Sequence, residues 1–310
     1  MIISVVIPCY NVSRHIEQVI QNLPHNVSHV IAVNDCSKDD TECIIQKLQQ
    51  QNPKIIYLKH EINEGVGGAM RTGFRKSLEL NSDITIKMDG DDQMDSINIS
   101  SLIKPIVDGK ADFTKGNRFR DFRALRKMPL SRRIGNLGLS FLIKAASGYW
   151  NIFDPSNGFI AIRNETLMKL DLERLHKRYF FESSMLIELY YINAVVHDVP
   201  MKARYGNEVS SLSRTKTLLQ FPPKLFIAFV KRLILKYFLF DFNIASLYLL
   251  FGFPLFVIGS IYGVINFVKY ASAHVAAPTG TVVIPTLLII LGFQLLLSAA
   301  NYDVTNYPKK

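Results

Sequence analysis

The sequence predicts an α/β protein: a doubly wound, mainly parallel sheet, then an amphipathic interfacial helix and two transmembrane helices. Three observations carry this. Short β-prone runs alternate with helical segments over the first 88 residues, the pattern of parallel strands joined by crossover helices. Each of these strands ends in polar residues or glycine, as strands do where an open α/β sheet binds ligands. Residues 244–268 and 282–300 carry no charged side chain, and each can cross ~30 Å of hydrocarbon.

The elements follow in order. Residues 2–8 are a continuous apolar run, as expected for a parallel strand buried on both faces. Cys9-Tyr10-Asn11 is a loop, Ser13 is an expected N-cap, and residues 14–22 read as helix. Val30-Ile31-Ala32-Val33 is a second strand and a helix spans 41–50. Ile55-Ile56-Tyr57-Leu58 is a third strand. The glycine-rich stretch 63–69 opens a helix from about 68 to 79, and strand 84–88 follows.

That last strand ends in carboxylates: Asp89-Gly90-Asp91-Asp92-Gln93. Asp89 and Asp91 lie two apart, so at an extended strand end they share a side. Gly90 lets the backbone turn or approach a ligand closely. Two or three hard oxygen ligands in a tight turn suit Mg2+ or Mn2+. Asp35 and Asp39, after the second strand, can accept hydrogen bonds from a nucleobase or ribose. Gly65, Gly67 and Gly68 let the chain pass close to a ligand, and the helix N-terminus behind them favours phosphate. A plain turn would also explain that stretch.

Composition bounds the rest. The 310 residues suggest one large or two modest domains, and 48% of them are hydrophobic, with the excess near the C-terminal end. The net charge of +10 with an apolar tail favours an anionic membrane surface or phosphorylated substrates over nucleic acid, and no nucleic-acid motif accompanies it. Cys9, Cys36 and Cys43 form no CxxC pair and read as reduced thiols facing a reducing cytoplasm. The histidines show no HExxH zinc pattern. The N-terminus lacks a basic n-region and reads as a first strand, not a signal peptide.

Four stretches, in order, resemble the family 2 glycosyltransferases with the GT-A fold: Val5-Val6-Ile7-Pro8-Cys9-Tyr10-Asn11, Asn34-Asp35-Cys36-Ser37-Lys38-Asp39-Asp40-Thr41, Asn63-Glu64-Gly65-Val66-Gly67-Gly68-Ala69 and Asp89-Gly90-Asp91-Asp92-Gln93. The Asp-x-Asp-x-Gln form is similar to the branch that glycosylates polyprenyl phosphates. The resemblance implies that Pro8, Tyr10, Asn11, Asp35, Asp39, Asn63, Gly67, Asp89 and Gly90 hold a nucleotide-sugar. It implies Asp89, Asp91 and Gln93 as the metal and diphosphate group. Asp92 stands where the branch more often has an apolar residue and has no assigned task.

Residues 115–133 carry Lys115, Arg118, Arg120, Arg123, Arg126, Lys127, Arg132 and Arg133 against the single acid Asp121. They read as a solvated basic loop or, more sharply, as a phosphate clamp, because guanidinium binds phosphate bidentately. Gly116-Asn117-Arg118 matches the family's Gly-x-Arg, and Arg132 and Arg133 are next in line for an acceptor phosphate. With Asp91, these three arginines are the expected catalytic set. Asp154-Pro155-Ser156-Asn157-Gly158 resembles the branch segment that lines the reaction centre, placing Asp154 and Asn157 on the acceptor side. Ser183, after Glu182, stands where many family members carry a base aspartate. A phosphate acceptor is already ionised near neutral pH and needs no base. Glu182 therefore positions a group, caps a helix, or acts as base for a hydroxyl acceptor.

From Val209 to Phe240 there is no acid and there are six basic residues. Pro222-Pro223 reads as the start of a helix with Lys224, Lys231, Arg232 and Lys236 on one side, lying on an anionic leaflet. Basic residues precede the first span, and Lys309 and Lys310 close the chain. The positive-inside rule then puts both termini and the catalytic domain in the cytoplasm, at a bacterial inner membrane. No strong small-xxx-small face is visible in the spans, though they could mediate a homo-oligomer. The expected division is a GT-A domain over 1–215, a juxtamembrane region over 216–240 and a two-helix anchor over 241–310. The expected function is metal-dependent, inverting transfer of one sugar from a nucleotide-sugar to a polyprenyl phosphate. The rivals are transfer to a hydroxyl of a lipid-linked saccharide, and a non-catalytic membrane scaffold. The sugar and its nucleotide, UDP or GDP, stay open.

Overall fold

The computed structural model describes residues 1–118, 130–201 and 214–309, with side chains from Leu137 and Gln220 onward in the helices that begin at Leu130 and Arg214. Arg120, Arg123, Arg126 and Lys127, and the side chains of Arg132 and Arg133, lie outside the described residues. Contacts divide the chain into two compact units: Met1–Ala228 with Pro308–Lys310, and Phe229–Tyr307.

The first unit is built on a seven-stranded sheet of order β3-β2-β1-β4-β6-β5-β7. The strands are β1 Ile3–Cys9, β2 His29–Asn34, β3 Ile55–Lys59, β4 Ile84–Lys87, β5 Phe113–Asn117, β6 Ile160–Arg163 and β7 Val196–Pro200. Pairing is parallel except along β6, which runs antiparallel to β4 and β5. β1 is buried from Ile3 to Ile7, which explains its unbroken apolar run: helices cover both faces. Pro8 is tolerated because it lies beyond Val6, the last β1 residue paired with β4. From β1 the chain winds outward through β2 and β3, then returns to place β4 on the other side of β1. The reversal opens a crevice at the carboxyl ends of β1 and β4, where the loop at Tyr10 and the acidic turn at Asp89 emerge.

The helix Thr41–Gln51 starts as expected, and Val66–Glu79 starts two residues before the expected 68. The first helix departs further: it spans Ile16–Gln21, its N-cap position is His15, and no side chain caps it. The Ser13 amide instead donates to Asp39 Oδ2 at 3.0 Å, which stitches two loops together. Asp92 is in the left-handed region at φ 57°, so its short polar side chain serves the turn, a conformation an apolar branched residue resists.

The second unit holds two long helices, Ile244–Ser272 and Thr279–Thr305, each long and apolar enough to cross a membrane. Both exceed the uncharged stretches by several residues and run through Pro254 and Pro285. Asn243 starts the first: its Oδ1 accepts from the Ala245 amide, and its own amide donates to Ser246 Oγ, each at 2.9 Å. The pair packs closely on small residues. A Cβ on Gly292 would lie 2.5 Å from the Phe256 amide nitrogen, and one on Gly252 would lie 2.9 Å from Leu295 Cβ. Gly259 and Gly263, four residues apart, face the same partner: a Cβ on each would lie 2.8 Å from Leu288 Cβ and 3.3 Å from Pro285 Cβ, respectively, so a small-xxx-small pair lines this contact where the sequence showed no strong one.

Two expectations for the juxtamembrane region fail. The helix runs over Arg214–Ile234, so Pro222 and Pro223 lie inside it, and it continues as a π-helical turn over Leu235–Phe240. Arg232 is not a headgroup-facing cation. It is fully buried within the second unit, with Nη1 2.7 Å from Asp303 Oδ1 and Nη2 2.8 Å from Asp303 Oδ2. Tyr237 Oη donates to the same carboxylate at 2.6 Å. A charge this deep needs a partner, and Asp303 near the end of the second long helix supplies it.

Candidate active site

The loops after β1 and β2 form one stitched floor. The Asn11 amide donates to Ser37 Oγ at 3.0 Å, the Val12 amide to Thr41 Oγ1 at 3.0 Å and the Lys38 amide to Asn11 Oδ1 at 2.8 Å. Asp39 accepts from the Ser13 amide and from the Thr41 hydroxyl at 2.6 Å. Burial raises its proton affinity, but these hydrogen bonds outweigh that and hold the Asp39 carboxyl at about 2. Tyr10 stands exposed on this floor.

Asp35 is buried, and its carboxylate faces protein. It accepts from the Glu64 and Gly65 amides, each at 2.8 Å, and contacts His60 Nδ1 at 2.8 Å. Asn63 Nδ2 donates to the Asp35 carbonyl at 3.2 Å. Asp35 therefore anchors the glycine loop to β2. The close approach that Gly67 permits is to the chain itself: a Cβ there would lie 1.9 Å from the His176 carbonyl oxygen. The amide of Gly68 likewise donates to the Lys177 carbonyl at 3.0 Å. The glycines dock the segment 176–178, where the sequence suggested a ligand.

Lys87, the last residue of β4, is buried, and its Nζ lies 2.5 Å from Asp89 Oδ1, 3.3 Å from the Gly158 carbonyl and 3.5 Å from Glu182 Oε1. Burial alone would lower its proton affinity; Asp89 and Glu182 reverse this, so Lys87 stays charged and its pKa is raised. Asp91 Oδ1 accepts from the Gln93 amide at 3.1 Å, closing the turn. Gly90 packs over Val12 and Ile16.

The segment Asp154–Gly158 is held as tightly. Asp154 is buried, and Arg118 reaches it through Nε at 2.8 Å and Nη2 at 3.1 Å. Arg118, expected to face phosphate, thus spends part of its fork inside the protein. Asn157 Nδ2 donates to the Gly116 carbonyl at 2.8 Å, and its Oδ1 accepts from the Phe159 amide at 3.0 Å. Lys115, placed by the sequence in the phosphate clamp, is instead buried and donates to the Asn157 carbonyl. Burial pushes its amine down to about 8, against the pull of Glu182 and Asp154.

Sequence reasoning missed Lys87 and Asp198. Asp198 on β7 pairs in register with Lys115 and accepts from Asn117 Nδ2 at 2.9 Å. Burial pushes its carboxyl up to about 6. A signal for Lys87 existed: a lysine between Ile86 and Met88, in a short apolar run of a parallel sheet, must itself be buried and paired.

Among the described residues no three His, Cys, Asp or Glu side chains cluster as a metal cage. The donor chemistry of the acidic turn still suits Mg2+ or Mn2+. Asp89, Asp91 and Gln93 are partly exposed hard oxygen donors, and such ions commonly complete their shell with water and substrate phosphate.

Comparison with known proteins agrees with the geometry. The sequence profile described as glycosyl transferase family 2 matches residues 4–171. A relative from Methanococcus voltae is 34% identical over 71% of this chain and 92% of its own, and is named UDP-N-acetylglucosamine--dolichyl-phosphate N-acetylglucosaminyltransferase. An undecaprenyl-phosphate mannosyltransferase from Micrococcus luteus is 26% identical over 65% of this chain and 83% of its own. Among solved structures, a mannosyltransferase from Pyrobaculum calidifontis, in complex with GDP-Man and Mn2+, covers 97% of this chain and 86% of its own at TM-score 0.50 and 14% identity, a likeness of fold alone. A GT-A sheet and a profile over more than half its length place this chain in glycosyl transferase family 2, as a glycosyltransferase.

Proposed function

We propose that the chain transfers a single sugar from a nucleotide-sugar to a polyprenyl phosphate at the cytoplasmic face of a membrane, with inversion. One observation carries the reading. Glu182 is engaged by the buried ammonium of Lys87 at 3.5 Å, and Ser183 beside it replaces the base aspartate that the family resemblance leads one to expect for a hydroxyl acceptor. An acceptor that arrives already ionised requires no base. The relatives named for dolichyl-phosphate and undecaprenyl-phosphate transfer support the same acceptor class, and the two long apolar helices supply a membrane anchor.

The residues divide the work. The stitched floor of Tyr10, Asn11 and Asp39 receives the nucleotide, while Pro8 sets its strand end. Asp35, Asn63 and Gly67 act through the shape of the adjoining loop. Asp89, Asp91 and Gln93, with Gly90 between, face the diphosphate and would hold Mg2+ or Mn2+. A bound divalent cation neutralises the charge that builds on the departing nucleotide diphosphate. Arg118, oriented by Asp154, together with Arg132 and Arg133, orients the acceptor phosphate so that its oxygen attacks the anomeric carbon in line. Asn157 lines that side. Residues 1–215 do this chemistry, 216–240 form the juxtamembrane region and 241–310 the anchor, with both termini cytoplasmic and room for a homo-oligomer. The test is direct. Full-length protein in nanodiscs receives polyprenyl phosphate, Mn2+ and, in turn, UDP-N-acetylglucosamine, UDP-glucose, UDP-galactose and GDP-mannose. Mass spectrometry should show one glycolipid; folded protein that makes none rejects the proposal.

A further inference from the structure

Lys87 and Lys115 occupy one row of the sheet. Each is paired in register with Ile160, the first residue of β6, from opposite sides. Cross-strand partners share a face, so both ammonium groups rise toward the same loop. They take successive carbonyls of it: Lys115 that of Asn157 and Lys87 that of Gly158. Lys87 alone also holds Asp89 and Glu182. A side chain at Gly158 would displace the pair of Lys87 and Asp89. A Cβ would lie 2.4 Å from Lys87 Nζ and 2.9 Å from Asp89 Oδ2.

We infer that Lys87 is a positioning residue that registers the donor-side carboxylate Asp89 against the acceptor-side loop Asp154–Gly158, with Glu182 as its counter-ion and not as a base. The inference rests on the proposed reading of the acidic turn. One amine touches the carboxylate that faces the diphosphate and the backbone that lines the acceptor. Its removal therefore loosens Asp89 and the loop together. It also leaves Glu182 without its cation, which is why removing both is milder than the sum of the parts.

The test uses full-length protein in nanodiscs and the variants Lys87→Met, Glu182→Gln and the double variant. Mn2+ affinity is read by electron paramagnetic resonance with UDP and then GDP present, separately from kcat and KM. Lys87→Met should weaken Mn2+ binding and lower kcat by ~10–100-fold, as for lost outer partners of a metal site. Glu182→Gln should change both by less than ~10-fold, below the usual ~100-fold or greater contribution of a general base. The double variant should bind Mn2+ better than Lys87→Met. If Lys87→Met does not fold, Gly158→Ala takes its place, since its methyl would drive between Lys87 and Asp89, and the same weakening is expected. A folded Lys87→Met or Gly158→Ala with unchanged Mn2+ affinity and kcat overturns the inference. So does a Glu182→Gln that binds Mn2+ normally but loses ~100-fold or more in kcat. A wild type that binds Mn2+ and nucleotide but makes no glycolipid rejects the acceptor reading and leaves the Mn2+ comparison of variants standing.

Discussion

Arg118 and Asp154 meet through two nitrogens and two oxygens, Nε to Oδ2 at 2.8 Å and Nη2 to Oδ1 at 3.1 Å, and the Arg118 amide donates to the same carboxylate at 3.2 Å. The acid is fully buried and the arginine side chain about one-third exposed, at 36%. The buried partner fixes the direction of the exposed one, an arrangement suited to a cation that must meet a phosphate in one geometry.

Arg118→Ala should therefore do two things. It leaves a buried carboxylate short of donors, costing ~1–3 kcal/mol of stability, and it lowers transfer. Arg118→Lys keeps the charge but not the fork, so it should recover less than half of the lost activity while restoring little stability. Thermal melts and acceptor KM measured side by side check both.

Asp91→Ala should remove metal-dependent transfer while leaving the fold intact, because Asp91 is partly exposed and its Oδ1 serves the Gln93 amide within its own turn. A loss of roughly 100-fold or more is expected, since even outer partners of metal sites commonly matter on that scale. Stripping divalent ions with a chelator should do the same to the wild type, and Mn2+ or Mg2+ should restore it. Transfer that survives the chelator would refute the role given to the acidic turn.

In the second unit, Arg232 and Asp303 are each at most 7% exposed at the side chain and pair in a two-point geometry. Arg232→Met or Asp303→Leu alone leaves one uncompensated buried charge and should cost ~3–5 kcal/mol. The double apolar variant should be far milder than the sum. A double-mutant cycle on thermal unfolding in nanodiscs measures the coupling; additive effects would show that the pair does not act as one.

Asp39 gives a pH dependence with a defined sign. Its folded value is lowered from 3.8 to about 2, so the ionised form is favoured by folding. The stability it contributes is present above pH 3.8 and is lost as pH falls through about 2. The difference in melting temperature between wild type and Asp39→Asn should therefore be largest above pH 3.8 and shrink toward pH 2. A difference that stays constant across that window would remove Asp39 as its source.

Much of this molecule is legible in the chain because it is local. The apolar run of β1, the alternation of strands with helices and the acidic turn after β4 follow from period and composition. The uncharged spans do too. Even Asp92 is a local matter, since an aspartate tolerates the left-handed turn it occupies.

What only the tertiary structure decided are the partners of the charged residues. Nothing near Gly67 in sequence says that its missing side chain admits the His176 carbonyl. The basic run 115–133 reads as uniform, yet Lys115 points into the protein and Arg118 grips Asp154. Arg232 lies in a basic stretch that looks like a membrane-facing stripe, yet it closes on Asp303. The reason is common to all of them. Periodicity reports which face a residue takes, but a buried charge is stabilised by one specific opposite group, and that group arrives from a distant part of the chain. Composition could name the carboxylates and the cations of this glycosyltransferase; only the fold could pair Lys87 with Asp89 and Glu182.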